Sequence, residues 1–132
     1  MKVLLDSALY VTDFMLEGDG DLFDANGNKS LNVEQVPIEE LDRLYEYPNA
    51  YKYHEDTNSV IFDHTKYTKI VNEQLKSELR IRRQKECFDV VDRSPLWYNT
   101  LTEEQISELT EWYEAWLKVT DTLVPPEKPD WL

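Results

Sequence analysis

The chain has 132 residues, 41% of them apolar and 31% charged, with a net charge of −13 at pH 7. That length fits one domain, or a compact domain with a helical extension, and the apolar content is enough for a core. The acidity argues against bulk nucleic acid and anionic membrane as partners, no apolar run approaches the ~20 residues that span a bilayer, and a single cysteine, Cys87, excludes an internal disulfide framework.

The opening MKVLLDSALYVTDF carries one Lys, a very short apolar run and an early Asp6, which is not a secretory signal pattern. Val3 to Leu5 and Ala8 to Leu16 predict two short strands around Asp6-Ser7, the second apolar enough for burial on both faces. All three glycines fall in the stretch Gly18–Ser30, where Asn26-Gly27 signals a type I′ turn. Leu31 and Val33 suggest a third strand. Pro37 then opens a short helix over IEELDRLYEY, with Ile38, Leu41, Leu44 and Tyr45 at helical spacing and Pro48 as its stop. Tyr51–His54 and Ser59–Phe62 read as the arms of a hairpin with Glu55–Asn58 as its loop.

From Asp63, a helix N-cap, a long helix is predicted over residues 64–91, with Glu78 and Arg82 as an i,i+4 pair. Asp92-Arg-Ser-Pro95 breaks it, and Leu96, Trp97 and Tyr98 form an apolar plug. Thr102 and Gln105 make a capping box, Leu101 and Ile106 a hydrophobic staple, and Glu103 and Glu104 suit the positive end of the helix dipole. Ile106, Leu109, Trp112, Tyr113, Trp116 and Leu117 share one stripe of this last helix, which ends near Val119–Asp121 before Pro125 and Pro126. The remaining tail, with Pro129, Trp131 and Leu132, is predicted to be extended. Together these elements predict an α+β fold. Residues 1–63 form a β-rich domain, a small antiparallel sheet with one short helix. Residues 64–132 form a two-helix antiparallel hairpin with a Pro-rich tail.

Charge is distributed unevenly. Residues 1–63 carry 14 acidic and 4 basic groups, residues 64–101 carry 5 and 8, and residues 102–132 carry 8 and 2. The basic centre is expected to pack alongside an acidic segment. Its cluster, Arg80, Arg82, Arg83 and Lys85, lacks interleaved aromatics, so charge pairing within the chain or with a partner is favoured over nucleic-acid contact.

Few residues carry chemistry. Asp24, Asn26, Asn28, Ser30 and Asn32 are oxygen donors at alternate positions, as in a calcium loop. A loop starting at Asp24, however, has Lys29 where the sharp turn needs glycine and Gln35 where a bidentate carboxylate is needed. A solvated hairpin turn is the favoured reading, with no metal. His54 and His64 lack the spacing of a zinc pair, and Cys87 beside Phe88 reads as a packed helix residue without a neighbouring base. No glycine-rich phosphate loop is present, so neither cofactor nor catalytic residue is assigned. Trp112 and Trp116 are expected to pack on Leu75 and Leu79. Trp131, so close to the end of the chain, either docks back on the helices or anchors a partner.

Five stretches carry a family resemblance: Arg82-Arg-Gln-Lys-Glu-Cys87-Phe, Arg93-Ser-Pro-Leu-Trp97-Tyr, Leu101-Thr-Glu-Glu-Gln105, Trp112-Tyr-Glu-Ala-Trp116-Leu and Pro126-Glu-Lys-Pro129-Asp-Trp131. Over about residues 75–132 the chain resembles phage tail assembly chaperones, although Tyr113-Glu114 stands where such families often carry Tyr-Arg. The resemblance implies stoichiometric, ATP-independent and non-enzymatic binding of a tail-fibre or baseplate protein in the host-cell cytoplasm. The contact would run through Trp97, Tyr98, Trp112, Tyr113, Trp116, Pro129, Trp131 and Leu132. Two alternatives are a minor tail or baseplate subunit retained in the virion and, ranked lower, an acidic DNA mimic that inhibits a host defence protein. The long helix, whose apolar face extends beyond what one shorter helix covers, also allows self-association.

Overall fold

The computed structural model describes residues 1–132. The fold is α+β, with small antiparallel sheets and several helices. It divides into two compact units, Met1–Val71 and Asn72–Leu132, each with its own core.

In the first unit, β1 (Lys2–Leu5) lies between β2 (Val11–Met15) and β3 (Leu31–Asn32) in one antiparallel sheet, while β4 (Tyr51–His54) and β5 (Ser59–Phe62) form a second. The single sheet anticipated from the sequence is therefore two, joined by an isolated bridge between Tyr10 and Lys52. β2 is not buried on both faces: Val11 is fully buried, but Thr12 and Asp13 are exposed. Ile38–Glu40 forms a 3-10 turn that leads into α1 (Leu41–Glu46). Leu44 of α1 packs into a core of Val3, Val11, Val33, Val36, Tyr51 and Val60.

Two five-residue loops of this unit share one design. The Asp6 carboxylate accepts from the amides of Ala8 and Tyr10, and the Asp24 carboxylate accepts from those of Asn26 and Asn28. The backbone closes identically: Leu9 donates to the Asp6 carbonyl and Gly27 to that of Asp24, at 3.0 Å in both, while Asp6 and Asp24 donate to Tyr10 and Asn28. Each loop places its fourth residue at positive φ, Leu9 at 72° and Gly27 at 80°. Asn26 is not at positive φ, so the turn is not type I′. It is the longer hairpin loop in which glycine takes the left-handed position. The Asp24 carboxylate serves this turn.

Asp63 caps α2 (His64–Arg83), accepting the Lys66 amide at 3.1 Å and the Tyr10 hydroxyl at 2.7 Å. The helix continues through a π turn, Gln84–Phe88, into α3 (Asp89–Val91), so the predicted helical span is continuous but not uniform. The Val71/Asn72 boundary of the units falls inside α2. In a regular helix Glu86, seven residues after Leu79, would share its bearing. The residue added by the π turn places buried Cys87 there instead. Exposed Glu86 pairs with Arg82 at 2.6 Å, replacing the anticipated Glu78–Arg82 pair.

The apolar plug is in fact a helical turn, α4 (Pro95–Tyr98), capped by Ser94, and its Leu96 is 77% exposed. α5 (Glu103–Leu117) begins with the predicted capping box: the Gln105 amide donates to the Thr102 hydroxyl at 3.1 Å, and the Thr102 amide to the Gln105 side chain at 2.9 Å. After Lys118 comes α6 (Val119–Thr122), ended by Leu123 in the left-handed conformation, φ 60°. The second core contains Leu79, Cys87, Leu109, Trp112, Trp116 and Val119. The stripe of α5 is narrower than predicted, because Ile106 and Leu117 are exposed.

Candidate interaction surface

The sequence-predicted contact residues separate by burial. Trp112 and Trp116 are 5% and 2% exposed and fill the core of the second unit, as one-face helical spacing requires. They are structural in the folded chain. Leu75, Leu79 and these two indoles belong to one cluster, the packing expected from the sequence. Trp97, Tyr98, Tyr113, Trp131 and Leu132 are half-buried and lie against its margin.

Trp97 and Tyr98 sit edge-to-face at 4.9 Å, and the Arg93 guanidinium covers the Trp97 ring at 4.5 Å. The Tyr98 hydroxyl donates to the Val91 carbonyl, fastening α4 to the end of α3. Exposed Leu96 stands beside this pair. The tail after Leu123 returns along α5. Trp131 rests on the core cluster and its indole N–H donates to the Glu108 carboxylate at 3.1 Å. Leu132 donates to the Pro129 carbonyl, turning the last residues inward. Of the two fates considered for Trp131, the structure places it docked on its own helices.

Two hollows line the α5–tail junction. One, of about 340 Å³, lies among Glu108, Glu111, Trp112, Ala115, Pro126, Glu127 and Pro129. The other, of about 450 Å³, is bounded by Glu111, Glu114, Ala115, Lys118, Thr122 and Val124. Sequence reasoning missed this groove because its two walls are separated along the chain. The glutamates at 108, 111 and 114, spaced three apart on α5, were the available signal.

No family model matches the chain, and no curated protein or solved structure matches it.

The basic cluster meets the acidic helix α5 without an ion pair, the Arg82 guanidinium lying 5.9 Å from the centre of the Trp116 ring. Arg82 pairs locally with Glu86, which lifts the Arg82 pKa and holds the Glu86 carboxyl below its ordinary range. Arg83 reaches the Leu117 carbonyl at 3.5 Å, with its guanidinium 5.4 Å from the centre of the Phe88 ring. Arg80 and Lys85 are exposed and make no ion pair. The basic segment does pack alongside the acidic one, Leu79 and Cys87 sharing a core with Leu109, Trp112 and Trp116, but its charge pairing is limited to the local Arg82–Glu86 contact. Burial pushes the Cys87 thiol up to about 11, so at neutral pH it is the unreactive thiol. His64 packs edge-on against Phe62, and His54 is exposed at the end of β4. No helix is long and apolar enough to cross a membrane.

Proposed function

We propose that the chain is a non-enzymatic phage tail or tail-fibre assembly chaperone that binds a fibre or baseplate protein stoichiometrically in the host cytoplasm. The supporting observation is the apolar and aromatic exposure of the second unit. Leu96 is 77% exposed and Val124 67% exposed, and half-buried Trp97, Tyr98 and Trp131 belong to the same unit. Apolar and aromatic side chains left at a surface favour contact with another chain. In this reading α2–α3 and α5 form an antiparallel helical hairpin closed by the tail, and the buried Trp112 and Trp116 make it rigid. A rigid, acidic unit with exposed apolar side chains suits the task of covering apolar strand-rich fibre subunits before they assemble.

Co-expression with a tail-fibre protein from the adjacent reading frame tests the proposal. The expected result is more soluble fibre and a higher trimer yield with this chain present. Equal solubility and yield with and without it defeats the proposal.

A further inference from the structure

The groove between α5 and the tail has an unbalanced rim. Glu108, Glu111, Glu114 and Glu127 are exposed around it, and none forms an ion pair. Lys118 is the one cation among the lining residues. Glu108 is partly engaged, since it accepts the Trp131 indole N–H. Ala115 lines both hollows, with Val124 on one side and Pro126 and Pro129 on the other. A small residue at the centre leaves room that a larger side chain would fill. Because Glu111 and Ala115 line both, the two hollows adjoin along α5.

An apolar floor beneath four carboxylates and one ammonium selects its occupant by charge. An acidic segment meets like charge, and a purely apolar one strips water from carboxylates without pairing them. A segment carrying Lys or Arg side chains lays its aliphatic stems on Ala115, Val124 and the prolines and places its cations at the rim. We propose that this groove binds a basic segment of a partner protein, with Glu111 and Glu114 as its principal charge contacts. The proposal rests on reading the chain as a contact protein, but not on the partner being a tail fibre.

The test uses the full chain and a fluorescein-labelled ten-residue peptide of alternating Lys and Ala, followed by fluorescence anisotropy. Saturable binding is expected, weakened by added salt as exposed charge pairs are screened. The double variant Glu111→Lys/Glu114→Lys should bind at least tenfold more weakly. The control Glu39→Lys/Glu55→Lys makes the same change in net charge at exposed positions of the first unit and should bind as the unaltered chain does. Circular dichroism checks that both variants fold. Should both lose affinity equally, the attraction is only that of an acidic protein and the groove assignment falls. Equal binding of a Glu-Ala peptide overturns it too. Sedimentation adds a third arm: self-association abolished by Glu111→Lys makes a second copy the occupant and refutes the assignment to a separate partner. The fibre assay separates this proposal from the previous one. Peptide binding without any gain in fibre yield keeps the groove and removes the chaperone role. A yield gain with equal peptide binding by the unaltered chain and the double variant keeps the chaperone role and removes the groove.

Discussion

Replacing Trp131 by alanine tests whether the tail is fixed by its own helices. The indole lies half-buried on the core of the second unit and donates to Glu108 at 3.1 Å. Truncating a fully buried Trp costs about 3–5 kcal/mol. Half burial reduces that to roughly 2 kcal/mol, and the exposed hydrogen bond adds about 0.5–1 kcal/mol. The total is about 2–3 kcal/mol. All four tryptophans, at 97, 112, 116 and 131, lie in Asn72–Leu132, so indole emission reports that unit alone and three indoles remain in the variant. With a urea slope of about 1 kcal/mol/M for so small a unit, the midpoint should fall by about 2–3 M. Trp131→Phe, which keeps a ring but loses the donor, should cost about 1 kcal/mol. Combining it with Glu108→Ala, which removes the acceptor, should add almost nothing to the hydrogen-bond loss, because the two changes remove one shared bond. An unfolding curve for Trp131→Ala within ~0.3 kcal/mol of the original, well under the cost of a packed indole, would show that the tail is not held and would refute the reasoning.

Thr102→Ala removes one half of the capping box and should lower the stability of the second unit by about 1 kcal/mol in the same urea assay. Leu9→Gly should raise stability by about 0.5–1 kcal/mol, seen as a higher melting temperature by tyrosine near-ultraviolet dichroism, because Leu9 sits at φ 72° and is 46% exposed. Asp63 is held below the usual carboxylate range, first by the Tyr10 hydroxyl and then by the Lys66 amide. Its contribution is present above the ordinary value of 3.8 and disappears as pH falls through the lowered one, so Asp63→Asn should flatten the acid limb of the stability curve of the first unit. The Cys87 thiol has the opposite sign: raised from 9.0 to about 11, it is neutral in both states below pH 9, and its contribution is lost as pH rises from about 9 to about 11. Cys87→Ser, whose hydroxyl does not ionise there, should remove that alkaline loss, as measured by urea midpoints between pH 8 and 11.

The parts of the fold legible in the sequence are those fixed by neighbours a few residues apart. Thr102 and Gln105 satisfy each other across three residues, Asp63 caps its own helix, and Tyr51–His54 and Ser59–Phe62 meet across a four-residue loop. The two Asp loops show where local signals mislead. Asn26-Gly27 suggested a two-residue turn, but the Asp24 carboxylate accepts the amides of Asn26 and Asn28 and lengthens the loop. Asp6 does the same while forcing a leucine into a conformation usually reserved for glycine, which composition does not reveal. The split into two sheets, the docking of Trp131 on Glu108 and the groove over Ala115 depend on contacts between distant segments. Periodicity identified Trp112 and Trp116 as one face. It could not say which of the remaining aromatics would stay at the surface.

The π turn at Gln84–Phe88 has a consequence for comparing this chain with any future relative. On its two sides the count of residues and the direction a side chain faces are out of step by one. A homologue with a regular helix here would need one residue fewer to keep the same surfaces. An ungapped alignment of the two would match Cys87 to a solvent position and Glu86 to a core position, and would stay out of register by one residue from there on. A single-residue gap between Arg83 and Asp89 would bring core back onto core and surface onto surface.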